Sequence, residues 1–203
     1  MSELKVNKVS PATGTAITLG DSGDTFTVPS GCTIVNSGTA TGFGGGGKVA
    51  QVLSVTKSDV FTSTAGATWT DITGFSVSIT PSASDSKILV MVTADISNPN
   101  YTNPARIQLL QDSTPVSVGT GSIGSRIAAS FAHNTGNASY TATSGSIVYL
   151  TSAVGSTSAI TFKCQGRCAV AADTFVFNRN GADTNDLYNT RTASSITVQE
   201  ILA

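Results

Sequence analysis

Charge is what this sequence has least of. Lys, Arg, Asp and Glu together make up 11% of its 203 residues, and eleven basic against twelve acidic side chains leave a formal net charge of −1. Such a chain has no electrostatic footprint for a nucleic-acid backbone or an anionic membrane, so no nucleic-acid partner is expected. Histidine occurs once, at His133, beside Ala132, Asn134 and Thr135, with no Ser-His or Cys-His constellation to accompany it. Acid-base and nucleophilic catalysis need positioned groups of that kind, so the expectation is a chain that is not an enzyme and takes no cofactor. The three cysteines, Cys32, Cys164 and Cys168, are too few and too unevenly placed for a disulfide framework or a zinc ribbon. On one strand, Cys164 and Cys168 would face the same side with Cα atoms ~13 Å apart, beyond disulfide reach. All three are expected to be small buried apolar residues. Hydrophobic runs of membrane-spanning length are missing, and Met1-Ser2-Glu3-Leu4-Lys5-Val6 has no signal-peptide apolar core. The expectation is a soluble chain made in a cytoplasm, with no membrane insertion.

What the chain has instead is hydroxyl: 27 Ser and 30 Thr, with 20 Gly, against 39% hydrophobic residues, enough for a core under a polar, uncharged surface. Apolar residues recur at two rather than at three and four, so no window supports an amphipathic helix. The clearest alternation runs from Lys87 to Ile96, with Ile88, Val90, Val92, Ala94 and Ile96 on the core side; the opposite face is expected to be covered only at its middle. Phe75 to Ile79 alternates up to Pro81, and Ile160 to Cys168 alternates with both cysteines on the apolar side. Further strands are predicted at Val49 to Thr56, Arg106 to Gln111, Pro115 to Val118, Ile147 to Thr151, Thr174 to Asn178 and Ser195 to Leu202. Gln111-Asp112-Ser113-Thr114-Pro115 is a short polar turn that should close an antiparallel hairpin. About nine strands in this space predict an all-β, antiparallel sandwich of jelly-roll type over residues 48–203.

Residues 1–47 differ. Three apolar-Thr units, Ile17-Thr18-Leu19, Phe26-Thr27-Val28 and Thr33-Ile34-Val35, are each followed by a turn ending in Gly23, Gly31 or Gly38. Each unit holds so few apolar residues that one chain can hardly offset its own conformational entropy, whereas three chains wound together can, so the pattern predicts a homotrimeric shaft. Gly42 to Gly47 reads as a flexible joint before the head.

Candidate contact residues sit in two loops. Asn98-Pro99-Asn100-Tyr101-Thr102-Asn103-Pro104 carries two Asn-Pro turns around a tyrosine, and a second polar loop runs from His133 to Ser146. Tyr101, Asn103, Asn137 and Tyr140 are the candidates for sugar contact, since rings stack on sugar faces and amides bond hydroxyls; as ordinary turn residues they need no ligand. His133 is read as a loop residue; in a trimer near the axis, its imidazole would suit a metal or sense pH. Asn180 to Asp186, including Asp183 and Asp186, offers oxygen ligands for a hard cation but lacks the rest of a calcium-hand spacing and reads as a turn. Gly42 to Lys48 is no phosphate loop, because Val49 stands where Ser or Thr should follow the lysine.

Arg106-Ile107-Gln108-Leu109-Leu110-Gln111-Asp112-Ser113-Thr114-Pro115, followed by Val118-Gly119, resembles a motif in the heads of marine phage and cyanophage fibre proteins. Phe177-Asn178-Arg179, the Asp183-Thr184-Asn185-Asp186 turn, Arg191 and Ser195 to Ile201 resemble that family's closing segment, and Met1 to Gly31 its virion-proximal start. Gln111 and Gln199 depart from it, standing where a basic and an apolar residue are usual. The resemblance implies a trimeric tail or capsid fibre, located in the virion, with its N-terminus docked on other virion proteins and its head directed toward host-surface glycan. Leu4, Val6 and Val9 are then the anchoring candidates, and a capsid decoration or cementing protein is the alternative role.

Overall fold

A computed structural model describes residues 48–100, 102–120, 124–133 and 141–203, with 9, 11, 13, 16, 21–25 and 27–33 nearer the N-terminus. The chain divides into two units, Met1–Phe43 and Gly44–Ala203.

Among the described residues every regular element is a strand: β1 (Val49–Lys57), β2 (Phe61–Ser63), β3 (Thr70–Ile79), β4 (Lys87–Ser97), β5 (Ala105–Gln111), β6 (Thr114–Val116), β7 (Phe131–His133), β8 (Thr143–Leu150), β9 (Ile160–Cys168), β10 (Phe175–Phe177) and β11 (Ser194–Ile201). All pairings between them are antiparallel. In the first sheet β4 is central, with β8 along one edge and both β11 and β10 along the other; β1 extends the sheet beyond β11, and β2 beyond β10. The second sheet runs β3, β9, β5, with β6 and β7 sharing the outer edge of β5. Successive strands mostly alternate between sheets, so the two layers of the sandwich are stitched together by their connections.

Alternation decides which side chains go inward. Ile88, Val90, Val92, Ala94 and Ile96 of β4 face Phe75, Val77 and Ile79 of β3, Ile107 and Leu109 of β5, and Ile160, Phe162, Cys164 and Cys168 of β9 in one core. Phe75 and Phe177 meet with ring centroids 5.0 Å apart and planes tilted by 55°, a favoured aromatic geometry. Each fully buried side chain of this size contributes about 1.5–3 kcal/mol. The opposite face of β4 is half-covered at Leu89 and Met91, as expected, but it also closes over at Asp95 and Ser97. There the chain between β10 and β11 leaves the sheet and folds back, with Asn178 (φ +64°) donating to the carbonyls of Lys57 and Asp59, and Ser194 Oγ donating to Asn178 Oδ1 at 2.6 Å. The predicted hairpin is present: Gln111 pairs with Thr114 and Leu109 with Val116.

In the N-terminal unit, Asp21–Asp24 and Pro29–Cys32 each close a turn, with Gly23 at φ +98° and Gly31 at φ +87° in the left-handed region that glycine adopts without steric cost. Every described residue of this unit except Pro11 is exposed. The turn at Gly38, the joint from Gly42 to Gly47 and most apolar positions of the three units lie outside the described residues.

Candidate functional site

Of the candidate sugar-contact residues, Tyr101, Asn137 and Tyr140 lie outside the described residues, as do Leu4 and Val6. Val9 is exposed. Asn103 is half-buried, and its backbone closes a turn: its N–H donates to Asn100 O at 3.1 Å and its carbonyl accepts from Asn98 Nδ2 at 3.1 Å. The same loop is tied down by Asn100 Nδ2 to Asp173 Oδ1 at 2.9 Å and Thr102 Oγ1 to Asn100 Oδ1 at 2.7 Å. Its amides serve the loop's own conformation first.

The turn from Asp183 to Asp186 lines an open depression of about 290 Å³ together with Asn189 and Arg191. Its carboxylates are already engaged. Arg191 donates to Asp183 Oδ1, holding that carboxyl below the usual range, while Arg179 Nε lies 3.5 Å from Asp183 Oδ2. Asp186 accepts from Thr184 Oγ1 at 2.6 Å, Tyr188 N at 3.0 Å and Asn189 Nδ2 at 2.8 Å. No group of three His, Cys, Asp or Glu among the described residues is arranged to hold a metal ion. What this braced loop does present is Leu187, wholly exposed, and Tyr188 beside it, 76% exposed. Sequence reasoning passed over this pair because it has no periodicity.

His133 is not in a loop. It is the last residue of β7, paired with Ala105 of β5 and 7% exposed, with Nδ1 against Thr143 Oγ1 and Nε2 unpartnered among the described residues. Burial pushes its pKa down, opposed by the charge of Asp95, and burial pushes the Asp95 carboxyl up. Cysteine divides the same way between expectation and finding. Cys164 and Cys168 are buried and free, and burial raises both thiols, Cys168 to about 12. Cys32 is exposed, contrary to expectation: it ends the turn at Pro29–Cys32, whose residues are all exposed. A membrane-impermeant maleimide should therefore label one thiol per native chain, at Cys32, and all three only after denaturation; rapid labelling of more than one in the native protein would contradict the burial of the β9 thiols.

Two sheet faces complete the surface. On the first sheet, register aligns Val52, Gln199, Leu89 and Leu150 in one row, Ser54, Thr197, Met91 and Val148 in the next, and Thr56, Ser195, Thr93 and Ser146 in a third. None of these twelve is charged, and Val52 (52%), Leu150 (51%) and Val148 (67%) stand in solvent.

On the second sheet the outward positions of β9 are polar. Gln108 Nε2 donates to Gln165 Oε1, Gln165 Nε2 to Asp71 Oδ1 and Lys163 Nζ to Asp71 Oδ2, each at 2.7 Å. One step along, Arg106 lies directly opposite Arg167, whose guanidinium sits 5.6 Å from the centre of the Trp69 ring.

The chain matches no protein-family model, and it has no detectable relative among curated proteins.

Proposed function

We propose that this protein is a structural, non-enzymatic fibre protein of a bacteriophage virion: a homotrimer joined to other virion proteins through its N-terminal residues, with the β-sandwich as an outward-pointing head that meets host-surface glycan. The observation that supports it most directly is the bare face of the first sheet. Four strands ~4.8 Å apart, carrying three rows ~6.8 Å apart, make a patch of ~400 Å². The largest apolar patch on a typical monomer is itself about 300–600 Å² and often functional, so it is the missing charge and the exposed valines and leucine, not the extent alone, that favour an interaction surface here. It is about half of the ~800 Å² that each partner buries in a standard interface, so further area must come from elsewhere in the chain. The glycine-punctuated leader supplies it: apart from Pro11 its described residues, Val9 and Val28 among them, are exposed in the single chain, and so small an apolar content offsets its ordering cost only when copies pool it.

Sedimentation velocity should give a species of three times the 20.5 kDa chain. Replacing both Val148 and Leu150 by lysine should lower that mass toward the monomer and leave the circular dichroism spectrum unchanged, because both side chains are exposed. A stable wild-type monomer would sink the trimer. Gold-labelled antibody against the chain should decorate virions, at the head or the tail; undecorated particles would remove the virion assignment.

A further inference from the structure

The row of the second sheet that contains two arginines is built unlike its neighbour. Thr70 pairs with Gly166 and Asp71 with Gln165, so the next residue back, Trp69, falls beside Arg167; Arg167 faces Arg106, and Arg106 faces Ala132. In the adjoining row, Asp71, Gln165 and Gln108 satisfy one another and Lys163. The arginine row has no such closure. Arg179 and Arg191 share Asp183, whereas neither Arg106 nor Arg167 has a carboxylate partner among the described residues. Arg167 uses Nε on the carbonyl of Cys168 at 3.2 Å and rests on the Trp69 ring, and its terminal nitrogens have no acceptor among the described residues. Arg106 Nη1 is enclosed and has no acceptor among the described residues.

Like charges directly opposite on neighbouring strands destabilise a sheet, and an enclosed guanidinium nitrogen without an acceptor adds to that cost. The isolated chain carries both. A carboxylate or sulfate set between the two guanidinium groups offsets the like-charge opposition, accepting from the nitrogens of each that face solvent. The cation–π contact with Trp69 fixes the Arg167 fork beforehand. Two cations are too few for a nucleic-acid backbone, which is held by many phosphate contacts.

We infer that Arg106 and Arg167, with Trp69 holding the second, form a binding site for the acidic group of a carboxylate- or sulfate-bearing saccharide. The saccharide part of this inference rests on the proposed role of the head in meeting host-surface glycan; the anion part rests on the arginine row alone. Burial also pulls the pKa of Arg106 down, with Arg167 beside it adding to the effect, in keeping with a cation that lacks its counter-ion.

The chain has a single tryptophan, so its fluorescence reports on this row and nowhere else. Titration of the full chain with polygalacturonate or dextran sulfate should give a saturable change in Trp69 emission, with no change from uncharged dextran at equal sugar concentration. Inorganic sulfate alone should bind at least 10-fold more weakly than dextran sulfate counted per sulfate group. R106Q and R167Q should each weaken binding at least 10-fold, while K163Q, which removes a cation already held by Asp71, should leave it within 2-fold. No saturable change in the wild-type chain with either acidic polymer overturns the site, and equal losses in R106Q and K163Q overturn it in favour of diffuse charge attraction. Inorganic sulfate binding as tightly as dextran sulfate overturns the saccharide part. Undecorated virions together with arginine-dependent polygalacturonate binding would refute the fibre role and leave the site standing; decorated virions with a silent Trp69 would do the reverse.

Discussion

Replacing Glu200 by alanine is expected to destabilise the head domain by about 3 kcal/mol, lowering its urea midpoint by roughly 1.5 M at a slope of about 2 kcal/mol per M. Glu200 is wholly buried on the inner face of β11. Its Oε1 accepts from Ser82 N at 2.7 Å, Ser82 Oγ at 2.8 Å and Ser86 Oγ at 2.7 Å, and its Oε2 from Gln51 Nε2 at 2.7 Å. One carboxylate thus ties β1 and β11 to the turn between β3 and β4. Alanine leaves the buried Ser86 hydroxyl without this acceptor and opens a void, whereas the exposed Ser82 recovers water. E200Q keeps the shape and should cost less.

The same group sets an acid limit. Burial alone would raise its pKa, but the hydrogen bonds from Gln51, Ser86 and Ser82 outweigh burial and bring the carboxyl down from 4.5 to about 2. Between those values the unfolded chain binds a proton that the folded chain does not, so stability rises with rising pH and is lost as pH falls. The contribution of Glu200 is complete above about pH 4.5 and is lost as pH drops through about 2. Urea midpoints measured from pH 6 to 2 should decline more steeply in the wild-type chain than in E200Q. Parallel curves would show that the carboxylate is not the group responsible.

Gly166→Ala is expected to cost about 2–3 kcal/mol, by overpacking rather than by backbone strain. Gly166 occupies an inward position of β9 where the next layer is the Phe175 ring; a Cβ there would lie 2.2 Å from Phe175 Cε1 and 2.3 Å from Cζ. The ring is buried in the core and cannot swing into solvent. Phe175→Leu alone should also destabilise, through the space it leaves. Combined with G166A it should do less harm than the two costs added, since leucine vacates the volume that the new methyl needs. Strict additivity in thermal or urea unfolding would mean that the two side chains do not meet, and the packing account would fail.

Much of this head is legible in the residues themselves. In β4 and β9 the apolar side chains recur at every second position, and the side they mark is the side that is buried. The hairpin between β5 and β6 follows from its polar turn, because a two-residue connection leaves antiparallel pairing as the close solution. β2 and β7, three residues each, escaped notice because each has too few apolar residues to show alternation. His133 looked like loop for the same reason, and the sequence does not reveal that Thr143 would lie against its ring. Of the sugar-contact candidates, only Asn103 falls among the described residues, and there the neighbouring asparagines serve the turn.

By itself the sequence determined an all-β chain, the inward side of its longer strands and the scarcity of charge on its surface. These are local properties: a strand's two faces are fixed by its own alternation, and composition needs no partner. Tertiary structure decided which strands lie side by side, and hence which outward residues become neighbours. Arg106 and Arg167 can each be read as outward-facing, but they stand opposite one another beside Trp69 only because β3, β9 and β5 pair in one register. Glu200 likewise looks like a charged residue near the chain's end until Gln51, Ser82 and Ser86 converge on it. Such long-range pairing is settled by the hydrogen bonds and burial of the whole sandwich at once, which no short stretch of chain contains.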